Sequence, residues 1–188
     1  MSVVVSLFDR TQNMVEPWST AGYPTECVDI QNGVDIYDYV PPEDIKIVFA
    51  FPPCDHLAVS GAAWFKDKGL EALHEALGLV LAAKRICEAS NAPWMIENPV
   101  STLSTYWREP DHTFHPFQYG GYLDPPANGY TKKTCLWVGN GFKMPRHKPA
   151  PITHDNFIHH LPPGPDRKNL RSITPMGFAR AVFEANNG

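Results

Sequence analysis

The chain has 188 residues, of which 43% are hydrophobic and 19% charged, values typical of a single globular domain with a substantial core. No apolar run approaches the roughly 18 residues of a membrane span, and the start, from Met1 to Ser6, lacks the basic region of a signal peptide, so we expect a cytoplasmic protein. The net charge of −4 argues weakly against strong nonspecific binding to nucleic acid, which requires clustered lysines and arginines.

The first half of the chain predicts strands and helices in alternation. Strands are expected at 2–8, 25–30 and 47–51, and a short helix is expected to begin near Glu16 and to end at Gly22. The five consecutive apolar residues of 47–51 are typical of a central strand that is buried on both faces. This order indicates an α/β fold with a mainly parallel sheet.

The clearest helical pattern lies between Lys68 and Ser90, where apolar residues recur at three- and four-residue spacing. Pro93 limits this helix, and the stretch Trp94–Pro99 is predicted to be a second short buried strand. The second half is rich in proline and harder to assign. It predicts a strand at 131–138, a long surface loop at 145–169 and a closing helix at 176–185.

Two residues capable of chemistry directly follow or end predicted buried strands. Cys54 comes just after strand 47–51, and Glu97 lies near the end of strand 94–99. If the helix between them makes the usual right-handed crossover, the two strand ends are neighbours. Ligands bind at the carboxyl edge of open α/β sheets, so this placement favours a functional cysteine over a buried, inert one.

A set of short motifs in this half carries a resemblance to a known family. In chain order they are Phe8 followed by a turn, Ala21-Gly22-Tyr23, Asp29, Phe51-Pro52-Pro53-Cys54 and Glu97-Asn98-Pro99. Their order and spacing resemble those of DNA cytosine-5 methyltransferases, in particular the small, phage-type branch. The resemblance covers the first hundred residues well, and residues 132–137 and the last helix more loosely.

The resemblance implies a Rossmann-like fold that binds S-adenosylmethionine and methylates cytosine in double-stranded DNA. Cytosine C5 is a poor nucleophile, so a thiolate must first add to C6 and convert the ring to an enamine. Cys54 matches that nucleophile, and Glu97 matches the acid that protonates or hydrogen-bonds N3. The target base is flipped out of the duplex, which requires a pocket and a closing loop.

The resemblance also implies binding residues. Phe8 would pack at the cofactor, Asp29 would accept the ribose hydroxyls, Ile30 would cover the adenine and Asp35 would bind its amino group, with Asp9 and Pro52 beside them. Ser60 and Gly61 match the mobile segment that closes on DNA, while Lys132 and Lys133 are the expected phosphate contacts. The chain then divides into a cofactor-binding and catalytic half (1–100), a loop-rich region with reduced target recognition (101–175) and a closing helix (176–188).

The chain departs from the family pattern at several positions. The first turn has no glycine, so Asn13 is expected to take any left-handed conformation there. Asp55 replaces the usual glutamine, lysines replace the expected arginine motif near residue 132, and the asparagine before the last helix is absent. Only residues 139–173 are available for target recognition, which leaves a homodimer or a helper protein open.

Three other interpretations stay open. A catalytically inactive relative would bind DNA or a host protein, for instance against restriction, and an active enzyme would use RNA or a free nucleotide as acceptor instead of DNA. A metal site formed by His112 and His115, or by the histidines of 147–160, is disfavoured because no cysteine or acidic residue falls at ligand spacing beside them. We therefore predict no metal.

Overall fold

The computed structural model describes residues 1–152, 155–162, 164 and 167–188. The strands found in these residues are β1 (Val3–Leu7), β2 (Thr25–Val28), β3 (Ile45–Ala50), β4 (Trp94–Pro99), β5 (His112–Phe114) and β6 (Thr134–Gly139). They form one sheet in the order β2-β1-β3-β4-β6-β5. Strands β2, β1, β3 and β4 are parallel, whereas β6 is antiparallel to both β4 and β5. The predicted α/β class with a mainly parallel sheet is confirmed, and the arrangement is compatible with a Rossmann-like fold.

The helices lie between and after these strands. In the described residues they are α1 (Glu16–Thr20), α2 (Phe65–Ala89), α3 (Leu103–Tyr106), α4 (Arg167–Ser172) and α5 (Met176–Asn186). Short 3₁₀ turns occur at Ile30–Asn32, Val59–Trp64, Pro116–Tyr122 and Phe157–His159. None of the helices in the described part of the chain combines the length and the apolar character needed to cross a membrane.

The sheet separates two hydrophobic clusters, because successive side chains of a strand point to opposite faces. On one face, residues such as Val48 and Ile96 pack with buried residues of α2, including Val80. On the other face, Phe49 and Met95 belong to a cluster that includes residues of α1 and α5. Both faces of the central strands are therefore covered, which explains the unbroken apolar runs of their sequences.

The order of the strands changes direction at β1. The chain passes from β1 to β2 on one side and then returns to place β3 on the other side of β1. At such a switch point the connections after the two central strands leave in opposite directions, which opens a crevice at their carboxyl ends. This crevice lies between the residues that follow β1 and those that follow β3.

The structure corrects several details of the sequence prediction. The strand expected at 131–138 is Thr134–Gly139, because Thr134 is the residue at which the ladders with both β4 and β5 end. The helix expected from Lys68 begins earlier, at Phe65, and is interrupted at Gly69, whose φ of 81° is left-handed. The segment 145–169 contains a 3₁₀ turn and the start of α4, while residues 153, 154, 163, 165 and 166 lie outside the described residues.

Candidate active site at the carboxyl edge of the sheet

A hydrogen bond from a buried side-chain amide fixes the turn that carries Cys54. The side chain of Asn98, only 1% exposed, donates from Nδ2 to the carbonyl oxygen of Pro52 at 3.0 Å. The carbonyl oxygen of Cys54 in turn accepts the backbone N–H groups of Leu57 and Ala58, at 3.0 and 2.8 Å. The end of β4 thus holds the Pro-Pro-Cys turn after β3, and the predicted adjacency of the two strand ends is observed.

The charges at these strand ends influence one another. Burial raises the pKa of the Cys54 thiol, the carboxyl groups of Glu97 and Asp55 raise it further, and Lys132 opposes the rise. Burial also raises the pKa of Glu97, again against Lys132. Because charge effects of this kind act over short distances, Cys54, Glu97 and Lys132 belong to one site. At neutral pH the thiol is protonated, and Glu97 keeps its proton to a higher pH than an ordinary glutamic acid.

Glu97 faces a small pocket with aromatic walls. The pocket is lined by Glu97, Lys132, Thr134, residues 172–175 and the aromatic side chains of Phe51, Phe114 and Phe178. Phe114 of β5 stacks on Phe178 of α5, with ring centroids 4.1 Å apart. The lining thus combines one carboxyl group and one cation with flat apolar walls, around a volume of about 10 Å³.

The two lysines predicted to contact phosphate differ in their surroundings. Lys132 is partly buried, lines the pocket of Glu97 and donates from Nζ to the carbonyl oxygen of Arg171 at 2.9 Å. Lys133 is exposed. The structure therefore brings Lys132 into the site with Cys54 and Glu97, whereas phosphate binding by Lys133 stays a prediction.

Asp9 organises the turn after β1. Its carboxylate is 3% exposed and accepts hydrogen bonds from Ser6 Oγ at 2.9 Å, Thr11 Oγ1 at 3.2 Å and the backbone N–H of Gln12 at 2.8 Å. Burial nevertheless raises the pKa of Asp9 against these bonds. Both oxygens of Asp9 are thus used inside the turn, and its predicted contact with the cofactor stays a prediction.

The left-handed residues of this turn are different from the one expected. Phe8 and Gln12 have φ values of 59° and 60°, whereas Asn13 is not left-handed. The prediction for Asn13 was wrong because the carboxylate of Asp9 holds the N–H of Gln12 and so bends the chain one residue earlier. Asn13 instead donates from Nδ2 to the carbonyl oxygen of Thr174 at 3.1 Å.

The residues after β2 present a carboxylate and an exposed apolar side chain next to each other. Asp29 is 8% exposed and accepts the N–H of Gln31 at 2.8 Å, while Ile30 is 69% exposed. Asp35 accepts the N–H of Tyr37 at 2.9 Å. A carboxylate at the end of β2 beside an uncovered isoleucine fits the hydroxyls and the flat base of a nucleoside.

The segment after Cys54 is attached to the segment after β4. The N–H of Val59 donates to the carbonyl oxygen of Val100 at 3.0 Å, and Ala58 forms a bridge with Ser101. Ser60 and Gly61 both lie in the 3₁₀ turn Val59–Trp64, and Ser60 is exposed. Their predicted mobility and contact with DNA stay predictions.

Sequence reasoning missed the roles of Asn98 and of residues 171–175. Asn98 was noticed only as part of a motif, although a polar residue inside a buried strand is a usable signal, since buried amides need partners. Nothing local in 171–175 indicates that its carbonyl groups accept bonds from Lys132 and Asn13. Tyr130 is a further neighbour of this site, because burial and the charge of Glu97 raise its pKa to about 12.

Comparison with known proteins adds no family to this picture: no family model matches the chain, and no curated protein matches it. Within the described residues, no group of three or more histidine, cysteine, aspartate or glutamate side chains is arranged to hold a metal ion. Of the histidines considered for such a site, His154 and the side chain of His159 lie outside the described residues.

Proposed function

We propose that the protein transfers a methyl group from S-adenosylmethionine to C5 of cytosine in DNA. The observation that carries this proposal is the site formed by Cys54 and Glu97 at the ends of two adjacent parallel strands, with Lys132 beside them. A thiol beside a carboxyl group whose pKa is raised supplies the nucleophile and the acid that addition to a pyrimidine ring uses.

The residues support a definite sequence of steps. The sulfur of Cys54 forms a bond to C6 of the cytosine while Glu97 gives a proton or hydrogen bond to N3, so that electron density moves to C5. S-adenosylmethionine, when bound, supplies the electrophilic methyl group. Solvent water then takes the C5 proton, the C5–C6 double bond is restored as the C6–S bond breaks, the Cys54 thiolate leaves, and N3 returns its proton to Glu97. Burial raises the pKa of Glu97 and so favours the protonated acid that the first step needs.

The other half of the sheet edge suits the cofactor. Asp29 would accept hydrogen bonds from the ribose hydroxyls, and the exposed Ile30 would cover the adenine. Phe8, partly buried at the end of β1, would form the wall nearest the crevice between β1 and β3. The glycine-free first turn is compatible with this assignment, because Asp9 supplies the hydrogen bonds that hold the turn.

The thiol of Cys54 must lose its proton before it attacks. Burial raises the pKa of the thiol, and Asp55, together with Glu97 when it is ionised, raises it further, so that the thiolate is scarce at neutral pH. The rate of methyl transfer should therefore rise with pH until either Cys54 is ionised or Glu97 has lost its proton. The raised pKa of Cys54 also favours the second candidate function, in which an inactive protein of this fold binds DNA or a host protein.

The deciding experiment measures transfer of a labelled methyl group from S-adenosylmethionine to duplex DNA, tRNA and dCMP. Cys54→Ser is the test variant, and Cys27→Ser, a partly buried cysteine of β2, is the matched control. Label on cytosine of DNA with the unchanged protein and the control, and a loss of about a thousandfold or more with Cys54→Ser, supports the proposal. Label with Cys54→Ser overturns the mechanism. No label on any acceptor, from protein that is folded, favours the binding function.

A further inference from the structure

A second and larger pocket lies beside the turn that carries Cys54. Its volume is about 410 Å³, and it is formed by that turn, the start of α2 and the segment around α3. Its lining includes His56, Phe65, Lys66, Lys68, Leu70, Thr102 and Tyr106. None of them lines the pocket of Glu97, so the two pockets are separate sites near the same turn.

The rim of this second pocket is unusually apolar for a protein surface. Among the lining residues, Leu70 is 78% exposed and Tyr106 is 55% exposed. Trp64, which directly precedes the lining residue Phe65 in the chain, is 64% exposed. Contiguous exposed apolar side chains on a folded domain mark a binding surface more often than single ones do. Phe65 and Tyr106 give the pocket aromatic side chains on which a flat ring can stack.

The polar groups of the pocket select for an anionic, hydrogen-bonding ligand. The charged residues among its lining are Lys66 and Lys68, both cationic, and Lys66 is exposed. Lys68 donates from Nζ to the carbonyl oxygen of Asp55 and so stays near the nucleophile turn. In the described structure, Nδ1 of His56 is buried without a hydrogen-bond partner, which a ligand group would supply.

The pocket begins two residues after the nucleophile. His56 lies inside the turn closed by the hydrogen bonds from Leu57 and Ala58 to Cys54. Thr102 anchors the opposite wall, with its N–H donating to the carbonyl oxygen of Leu57 at 2.9 Å. A ligand of the pocket and a base at Cys54 would therefore be close neighbours.

We propose that this pocket binds the nucleotide next to the target cytosine in the acceptor strand, with its base on the aromatic side chains and its phosphate at Lys66. This inference rests on the proposed function, and it names the substrate as a strand of at least two nucleotides with the flanking base unstacked. The pocket would also contribute to recognition of the target sequence. Only residues 139–173 are otherwise available for a separate recognition region.

The test measures binding rather than turnover. Cys54→Ser protein is titrated into a fluorescein-labelled single-stranded trinucleotide, d(TCT), and into the same trinucleotide with an abasic central position, with anisotropy as the readout. Tyr106→Ala is expected to weaken binding of both probes by about 5- to 150-fold, the range for loss of one stacked base. Lys66→Ala is expected to weaken it about two- to fivefold and to reduce its dependence on salt.

Matched controls and competitors separate the alternatives. Tyr37→Ala, which removes an exposed tyrosine elsewhere, and Lys143→Ala, which removes an exposed lysine, should leave both affinities unchanged. Equal binding by Tyr106→Ala and Tyr37→Ala overturns the proposal, as does equal competition by dTMP and d(TCT), which would make the pocket a site for free nucleotides. A dimer that covers the pocket and binds neither probe also overturns it. Because the abasic probe needs no chemistry at Cys54, these results do not depend on methyl transfer.

Discussion

The two halves of the sheet edge are held together by different kinds of contact. At the ends of β1 and β2, the carboxylates of Asp9, Asp29 and Asp35 each accept a backbone N–H from two or three residues further along the chain. These are local turns whose geometry depends on a few adjacent residues. The expected cofactor side is therefore built from short segments that form independently of one another.

The side of the sheet edge that carries Cys54 and Glu97 depends on distant segments. Asn98 bonds to the carbonyl oxygen of Pro52 across 46 positions of sequence, and Lys132 bonds to Arg171 across 39. Glu97 and Lys132 lie close enough to Cys54 to change the pKa of its thiol. Substitutions within the local turns, such as at Asp29, should therefore act on affinity alone, whereas substitutions on the side of Cys54 and Glu97 should change reactivity and stability together.

The largest effect is expected from Glu97→Gln, which removes the acid but keeps its shape. Loss of a general acid costs typically about 10²- to 10⁴-fold, so methyl transfer should fall by that factor. Glu109→Gln, at an exposed glutamate, is the control and should leave the rate unchanged. The measurement is single-turnover transfer of labelled methyl groups. A variant with the original rate would remove Glu97 from the mechanism.

The same substitution should make the fold more stable. The raised pKa of Glu97 means that the folded state keeps a proton that the unfolded chain has already released, so stability falls as pH rises through the window between the two pKa values. Glutamine removes this loss. Thermal unfolding of Glu97→Gln should match the unchanged protein below the ordinary glutamate pKa and exceed it at neutral pH, with a shift of about 2–4 °C for each kcal/mol. A variant that is less stable at neutral pH contradicts the expectation.

Asn98→Ala should weaken both stability and activity. It removes the donor to Pro52, leaves a buried carbonyl group unpaired and opens a small cavity, for an expected cost of about 1–3 kcal/mol in urea unfolding. The turn that carries Cys54 loses its hydrogen bond to β4, so the rate of methyl transfer should fall as well. Asn13→Ala, which removes one partly buried bond to Thr174, is the comparison and should cost about 0.5–1.5 kcal/mol. Equal losses of unfolding free energy in the two variants would show that the hydrogen bond from Asn98 contributes no more than the one from Asn13.

On the cofactor side, Asp29→Asn should lower the affinity for S-adenosylmethionine without loss of stability. Asparagine can still accept the N–H of Gln31, so the turn is kept, while the charge-assisted bonds to the ribose are weakened by about tenfold in affinity. Titration calorimetry measures the change, with the exposed Asp38→Asn as control. If Asp29→Asn lowers the stability as well as the affinity, Asp29 contacts distant segments of the chain and does not act only within its local turn.

The smallest effect is expected from Lys133→Ala. An exposed lysine that contacts one phosphate contributes through released counterions, so DNA affinity should fall about two- to fivefold and the dependence of log affinity on log salt should become shallower by about one unit. Lys143→Ala is the matched control. The measurement is anisotropy of labelled duplex DNA at several salt concentrations, and an unchanged slope would remove Lys133 from the DNA contact.

The sequence alone determined the elements whose patterns are local. Unbroken apolar runs predicted β3 and β4, three- and four-residue spacing predicted α2, and the crossover rule placed Cys54 and Glu97 at neighbouring strand ends. Residues at the ends of these strands can be located in the same way, because their positions follow from where each apolar run ends. The central strands, the long helix and the adjacency of the strand ends that carry Cys54 and Glu97 therefore followed from the sequence alone.

Tertiary structure decided which distant side chains join them. Nothing near Lys132 in the sequence indicates that it lines the pocket of Glu97 while Lys133 stays exposed, because that depends on how β6 pairs with β4. The bond from Asn98 to Pro52, the pocket after Cys54 and the raised pKa values likewise arise only when separate segments come together. Burial and electrostatic coupling are properties of packing, and a linear sequence contains them only implicitly.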